Sequence, residues 1–215
     1  LVPALGSESG FWFGGGNLVQ DRDGTILACG RFRNPGDART GTGSGERGLE
    51  FAVFTGSSPD AKFTKALSFS KNDLSVNEEV VSIEGASLLP NESTPSGWEL
   101  FVSTEKRVPY PKPLINFQKP GTGVWSIDRI KGSDGFGSLS PDTIETVASS
   151  QKGETLHVKD PVAFRINPSS TELAYCHHPF SWASSNTGLS RQSATSEGFE
   201  LISENILPRG NSWDV

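Results

Sequence analysis

The chain has 215 residues, a formal net charge of −6 and 34% hydrophobic residues, with 24 glycines and 14 prolines. That length supports one substantial domain or two small ones, and the Gly/Pro content points to a turn-rich chain rather than a helical one. The acidic balance, with no dominant Lys/Arg cluster, argues against nucleic acid as a partner. No run approaches the roughly 18 to 20 apolar residues of a membrane span.

In chain order, "GGGNLVQDRDGTILACGRF" (14–32) holds two apolar runs around an Asp23-Gly24 turn, a hairpin signal. "GLEFAVF" (48–54) and "KFTKALSFS" (62–70) add two strands. A second set follows: "SIEGASLL" (82–89), "WELFVST" (98–104), "GVWSIDRI" (123–130) and "TIETVASS" (143–150). The third is "DPVAFRI" (160–166), "ELAYCHH" (172–178), "GLSRQS" (188–193) and "GFELIS" (198–203). No long window keeps a 3.6-residue period, so the chain reads as almost entirely β.

A second marker supports a repeat. After the third strand of each set come "SSPDAKF" (57–63), "GSDGFG" (132–137) and "TSEGFE" (195–200), each with Ser, an acid and then an aromatic. The acids Asp60, Asp134 and Glu197 are 74 and 63 residues apart, and the first-strand positions Asn17, Glu84, Asp160 and Asp214 are 67, 76 and 54 apart. Four-stranded antiparallel units at this period are what a β-propeller requires; the rival is a β-sandwich with accidental spacing. The units are about 11–70, 80–150 and 156–205, with a further blade starting at 211–215, in one propeller domain incomplete at one or both ends. The absence of Met and the opening LVPALGSESG, which lacks signal-peptide character, lead to the same expectation of a processed or partial chain. In a propeller the first strand of each blade lines the central channel, so Glu84, Asp160 and Asp214 would meet in one funnel.

An acid followed by Pro or Gly opening an apolar inner strand, then a turn and an aromatic-rich second strand, resembles the five-bladed β-propeller glycosidases of glycoside hydrolase families 32, 43, 68 and 130. "IEGASLL…GWELFVS", "KDPVAF…TELAYCHH" and "SWDV" carry the resemblance, and the S-x-D-G turn also resembles the sialidase Asp-box. About three of the five blades fall in this chain. The resemblance implies a glycosidic bond cleaved by funnel carboxylates, with Glu84 as general acid, Asp160 as the orienting or pKa-modulating acid and Asp214 as base or nucleophile. It implies an oligosaccharide or polysaccharide substrate, with a secreted or periplasmic location as the accompanying expectation. The chain departs from the pattern at "GGGN", where Gly and Asn17 stand in place of an acid, and in its Glu-then-Asp order. A carbohydrate-binding propeller without catalysis, or a sialidase-like hydrolase of an acidic sugar, are the alternatives.

Among the remaining polar groups, Arg31 and Arg33 alternate off a strand and could grip a carboxylate or sugar hydroxyls. The whole segment 30–48, which also holds Arg39 and Arg47, reads otherwise as a solvated Gly-rich loop. Asn17, His177 and His178 could bond sugar hydroxyls, and Trp12, like Trp182 and Trp213, could stack on a pyranose face, although blade packing explains aromatics equally well. Cys29 and Cys176 sit in apolar runs and read as buried free thiols. With no CxxC pair and no Cys/His spacing of zinc type, neither a metal nor another cofactor is expected.

Overall fold

The computed structural model describes residues 2–34, 48–91, 96–181 and 184–207. These form three antiparallel sheets in which successive strands pair in chain order. The first contains β1 (Trp12–Gly14) and β2 (Leu18–Gln20), both paired with β3 (Ile26–Arg33), followed by β4 (Glu50–Gly56) and β5 (Thr64–Ser70). The second runs β6 (Val80–Asn91), β7 (Gly97–Lys106), β8 (Val124–Gly132) and β9 (Ser140–Ala148). The third runs β10 (His157–Phe164), β11 (Ser170–His178), β12 (Asn186–Ser193) and β13 (Glu200–Ser203). A four-residue helix, α1 (Lys71–Leu74), opens on a Ser70–Asp73 capping box and links the first two sheets.

Local chemistry explains the connections. Asp23 accepts from the Thr25 amide while Gly24 takes φ 90°, so the predicted Asp-Gly turn closes β2 onto β3. The Ser-acid-aromatic marker falls in the loop between third and fourth strands of each sheet, and its aromatic turns inward. Phe63 is buried, Phe136 packs edge-on against Trp98, and Phe199 packs edge-on against Phe101. The repeat marker is therefore a packing device that pins each outer strand to its own or the adjoining blade.

The sheets stack face to face. Leu88, Leu100, Val102 and Ile130 of the second sheet meet Leu27, Cys29, Phe51 and Val53 of the first. Phe101 and Ile127, on its other face, meet Val158, Leu173 and Tyr175 of the third. The middle sheet is covered on both sides, which is why "WELFV" reads as a nearly continuous apolar run rather than an alternating one. Three blades do not close a ring, and Val162 and Phe164 on β10, with Ile166 just beyond, stay exposed.

Away from the funnel, Arg129 is buried between the second and third sheets and holds Glu99 at 3.2 Å and Glu145 at 2.5 Å, while Arg165 meets Glu99 at 2.7 Å. Removing one partner of such a network strands a buried charge. Arg129→Met is expected to lower unfolding stability by about 3 kcal/mol or more, read as a shift in urea midpoint. Lys131→Met, at an exposed site, is expected to shift it by less than about 1 kcal/mol.

The inner strands differ from the sequence expectation in one respect. Asp160 lies in the middle of β10, not at its mouth, because the strand begins three residues earlier at His157. It can do so because the chain bulges there. Pairing passes from Lys159↔Cys176 to Val162↔Ala174, leaving one extra residue on β10. In β6 it passes from Ile83↔Thr104 to Ala86↔Val102. In the first blade it passes from Gly14↔Arg31 to Leu18↔Ala28, which is the break between β1 and β2. Each inner strand thus carries one extra residue, at Gly15-Gly16-Asn17, Glu84-Gly85 and Asp160-Pro161. A bulge re-aims a side chain without ending the strand.

Candidate functional site

The second and third bulges bring Glu84 and Asp160 together. The Lys159 ammonium donates to Glu84 Oε2 and lies 3.4 Å from Asp160 Oδ2. Two oxygens reached by one ammonium lie less than about 7 Å apart. Arg31 Nη2 approaches the other oxygen of Glu84 at 3.8 Å, and its guanidinium lies 4.9 Å from the Trp12 ring centroid. Burial lowers the pKa of Lys159, but the charges of Glu84 and Asp160 outweigh it and the net shift is upward, so Lys159 stays protonated.

Backbone geometry confirms how tightly this point is built. Asp160 has φ 57°, the one positive value at a non-glycine position among the described residues. Its amide donates to Ser103 Oγ at 2.8 Å, anchoring the third bulge to β7. A Cβ at Gly85 would lie 2.6 Å from Asp160 Oδ1 and 2.9 Å from its Cα, so the Glu84-Gly85 bulge can approach only because residue 85 has no side chain. Gly15 also closes on this ring, its carbonyl accepting from the Ala86 amide at 2.7 Å.

The other expected residues have mixed placements. The Asn17 side chain accepts from the Leu88 amide at 2.8 Å, donates to the Leu88 carbonyl at 2.9 Å and accepts from Cys29 Sγ at 2.9 Å. It joins the first blade to the second as an added strand residue would. Burial pushes the Cys29 thiol up to about 11, which leaves it protonated and unreactive. Arg33 lies 5.8 Å from the Trp12 ring, so Trp12 is flanked by both arginines of its cross-strand neighbour. His177 and His178 diverge because adjacent strand residues face opposite ways. His177 stacks on Tyr175 at 4.8 Å, whereas His178 lies beside Cys176 and Asp160. Cys29 and Cys176 are both buried and free. Asp214, Trp182, Trp213, Arg39 and Arg47 lie outside the described residues.

His157, which the sequence did not single out, pairs with His178 across β10 and β11 and meets the Tyr110 hydroxyl at 3.1 Å and the Trp125 amide at 3.4 Å. Burial, reinforced by His178 and Lys159, pushes it down to about 3. The unfolded histidine titrates near 6.5, so below that pH the unfolded chain takes up a proton that folded His157 refuses. Its contribution is fully present above about pH 6.5 and is lost progressively as pH falls toward 3. The expected loss is up to about 1.4 kcal/mol per pH unit in that window. Urea unfolding at pH 7 and pH 5, in chelator, should show a smaller drop for His157→Gln than for the unsubstituted chain.

The sequence expectation of no metal ligands meets one contrary arrangement. Donor atoms of Asp160, Cys176 and His178 all lie within 4.8 Å of one another. Only the C-x-H spacing on β11 is local; the aspartate arrives through the bulge of the neighbouring strand, which no spacing rule captures.

No protein-family profile matches the sequence, and no curated protein matches it. The fold, however, matches solved structures. The chain is similar to a GH43 beta 1,3 galactosidase, with TM-score 0.56 and 12% identity over 91% of this chain and 33% of that one. It is similar to an endo-1,4-beta-xylanase from Bacteroides thetaiotaomicron, with TM-score 0.56 and 13% identity over 91% of this chain and 54% of that one. It also resembles an alpha-L-arabinofuranosidase from Lactobacillus brevis, with TM-score 0.52 and 7% identity over 86% and 52% of the two chains. The chain therefore spans between a third and about half the length of these structures. The fold is that of a partial β-propeller of the five-bladed type found in propeller glycosidases, with three four-stranded blades described.

Proposed function

We propose that the chain contributes the carboxylate-bearing blades of a propeller enzyme that hydrolyses a glycosidic bond in an oligosaccharide or polysaccharide. The observation that supports this is the meeting of Glu84 and Asp160, from the bulges of adjacent inner strands, on one lysine. Glycoside hydrolysis needs two carboxyl groups within several ångströms of each other on a shared opening. The names of the structurally similar proteins agree with a carbohydrate substrate.

The cations around Glu84 refine its role within this proposal. A proton donor needs surroundings that favour the neutral carboxyl, whereas Arg31 and Lys159 favour the carboxylate. Glu84 therefore suits the base or nucleophile better than the general acid that the resemblance implies. Asp160 fits a positioning acid on Lys159, and the proton donor is left to a third carboxylate, for which Asp214 is the sequence candidate. The test is a panel of aryl glycosides, neutral and uronate, hydrolysed by the intact gene product and by its Glu84→Gln variant.

A second reading is a carbohydrate-binding propeller without catalysis. It is favoured by the first-blade bulge, where Gly15-Gly16-Asn17 offers no acid and Asn17 is engaged by Leu88 and Cys29. It predicts sugar binding by calorimetry with no turnover of any glycoside.

A further inference from the structure

We propose that Asp160, Cys176 and His178 form a binding site for a divalent transition metal of the zinc class, with at least one coordination position open to water or a sugar hydroxyl. The inference does not rest on the glycosidase reading, although it shares Asp160 with it. Cys176 and His178 are two apart on β11 and so project from one face, with Lys159 and His157 as their cross-strand neighbours. The β10 bulge adds the third donor by turning Asp160 toward them, at the cost of a left-handed backbone at a non-glycine residue.

The donor set specifies the metal. A thiolate, an imidazole and one carboxylate together suit zinc and its neighbours rather than the all-oxygen shells of calcium or magnesium. Three protein ligands with an open place are the composition of reactive zinc sites, whereas structural sites take four. Cys176 and His178 are both buried while Asp160 is half-exposed, so the open position is set on the Asp160 side, beside Glu84 and Lys159.

The required adjustment is small. Ligands about 2.0–2.3 Å from zinc stand roughly 3.5 Å apart in a tetrahedron. The donors here lie within 4.8 Å, so closure asks for about 1 Å of side-chain movement. Burial, with help from the Lys159 charge, holds His178 down to about 4, so its imidazole is neutral at pH 7 as a ligand must be. Lys159 competes with the metal for Asp160, and its ammonium would shift onto Glu84, which it already holds.

The chain has two cysteines and three histidines, which makes the test specific. The chelator-treated protein is titrated with Co2+ at neutral pH and the visible spectrum recorded, then Zn2+ is added in competition. The expected result is one equivalent of cobalt with a thiolate-to-metal charge-transfer band, displaced by zinc. The band is lost in Cys176→Ser and kept in Cys29→Ser, and apparent affinity falls about 10-fold or more in Asp160→Asn and His178→Gln. Circular dichroism reports folding of each variant, and the milder Asp160→Asn decides the matter if Cys176→Ser does not fold. Absence of a thiolate band in the folded unsubstituted chain, its persistence in Cys176→Ser, or unchanged affinity in Asp160→Asn would overturn the proposal. None of these readouts involves glycoside turnover, so loss of the metal site and loss of the glycosidase reading are separately visible.

Discussion

Glu84→Gln in the intact gene product is expected to lower kcat on its best aryl glycoside by about 10²- to 10⁴-fold, the range of a positioned acid–base group. Gln keeps the shape of the side chain and can still accept from Lys159, but it carries no charge and cannot act as base or nucleophile. KM should change little, because the lost interaction belongs to the transition state rather than to ground-state binding. Two further measurements separate chemistry from damage. In Glu84→Ala a small nucleophilic anion such as azide should restore part of the turnover, because it fills the vacated place of the attacking group. Asp160→Asn should fold normally, since Asn tolerates the left-handed backbone found at that position. Its activity should still fall, through loss of the charge shared with Lys159. Turnover unchanged in Glu84→Gln would remove Glu84 from the mechanism.

The blades were legible because strand and turn chemistry is local. Asp23-Gly24 closes a hairpin by itself, and the Ser-acid-aromatic loops repeat because every blade needs an aromatic to pin its outer strand. Glu84 and Asp160 could be picked out as acids in apolar runs, where an acid has no packing reason to be. What lay beyond the sequence was long-range. The bulges depend on which residue of the partner strand is skipped, and this puts Asp160 in mid-strand rather than at a strand mouth. Lys159 next to Asp160 looked like an ordinary flanking charge until the second blade placed Glu84 against it. Asn17, one candidate for sugar binding, turns out to bridge two blades, a role that depends on Leu88 far along the chain. The His157–His178 pair and the Asp160–Cys176–His178 cluster arise from cross-strand register, which periodicity does not encode.

Gly85→Ala is expected to damage both the fold and the site, and by the same contact. An added methyl would meet the Cα of Asp160 at 2.9 Å as well as its Oδ1 at 2.6 Å, so no side-chain rotation relieves it. The bulges of β6 and β10 would have to separate. Forcing a methyl into a filled space costs typically about 1–3 kcal/mol, which a lowered urea midpoint would report. Separation also moves Asp160 relative to Glu84 and Lys159, and misplacement of a reacting group by about 1 Å can cost 10²-fold in rate. Gly198→Ala is the matched control, because a Cβ there meets nothing within 4 Å and the backbone is not left-handed; its midpoint and turnover should stay unchanged. The two effects of Gly85→Ala should also part under suppression. Asp160→Gly in the Gly85→Ala background removes the Asp160 side chain from the clash and favours the left-handed backbone, so it should recover stability without recovering turnover. A Gly85→Ala protein as stable and active as the unsubstituted one would mean that the close approach of the two bulges does not set the carboxylates in place.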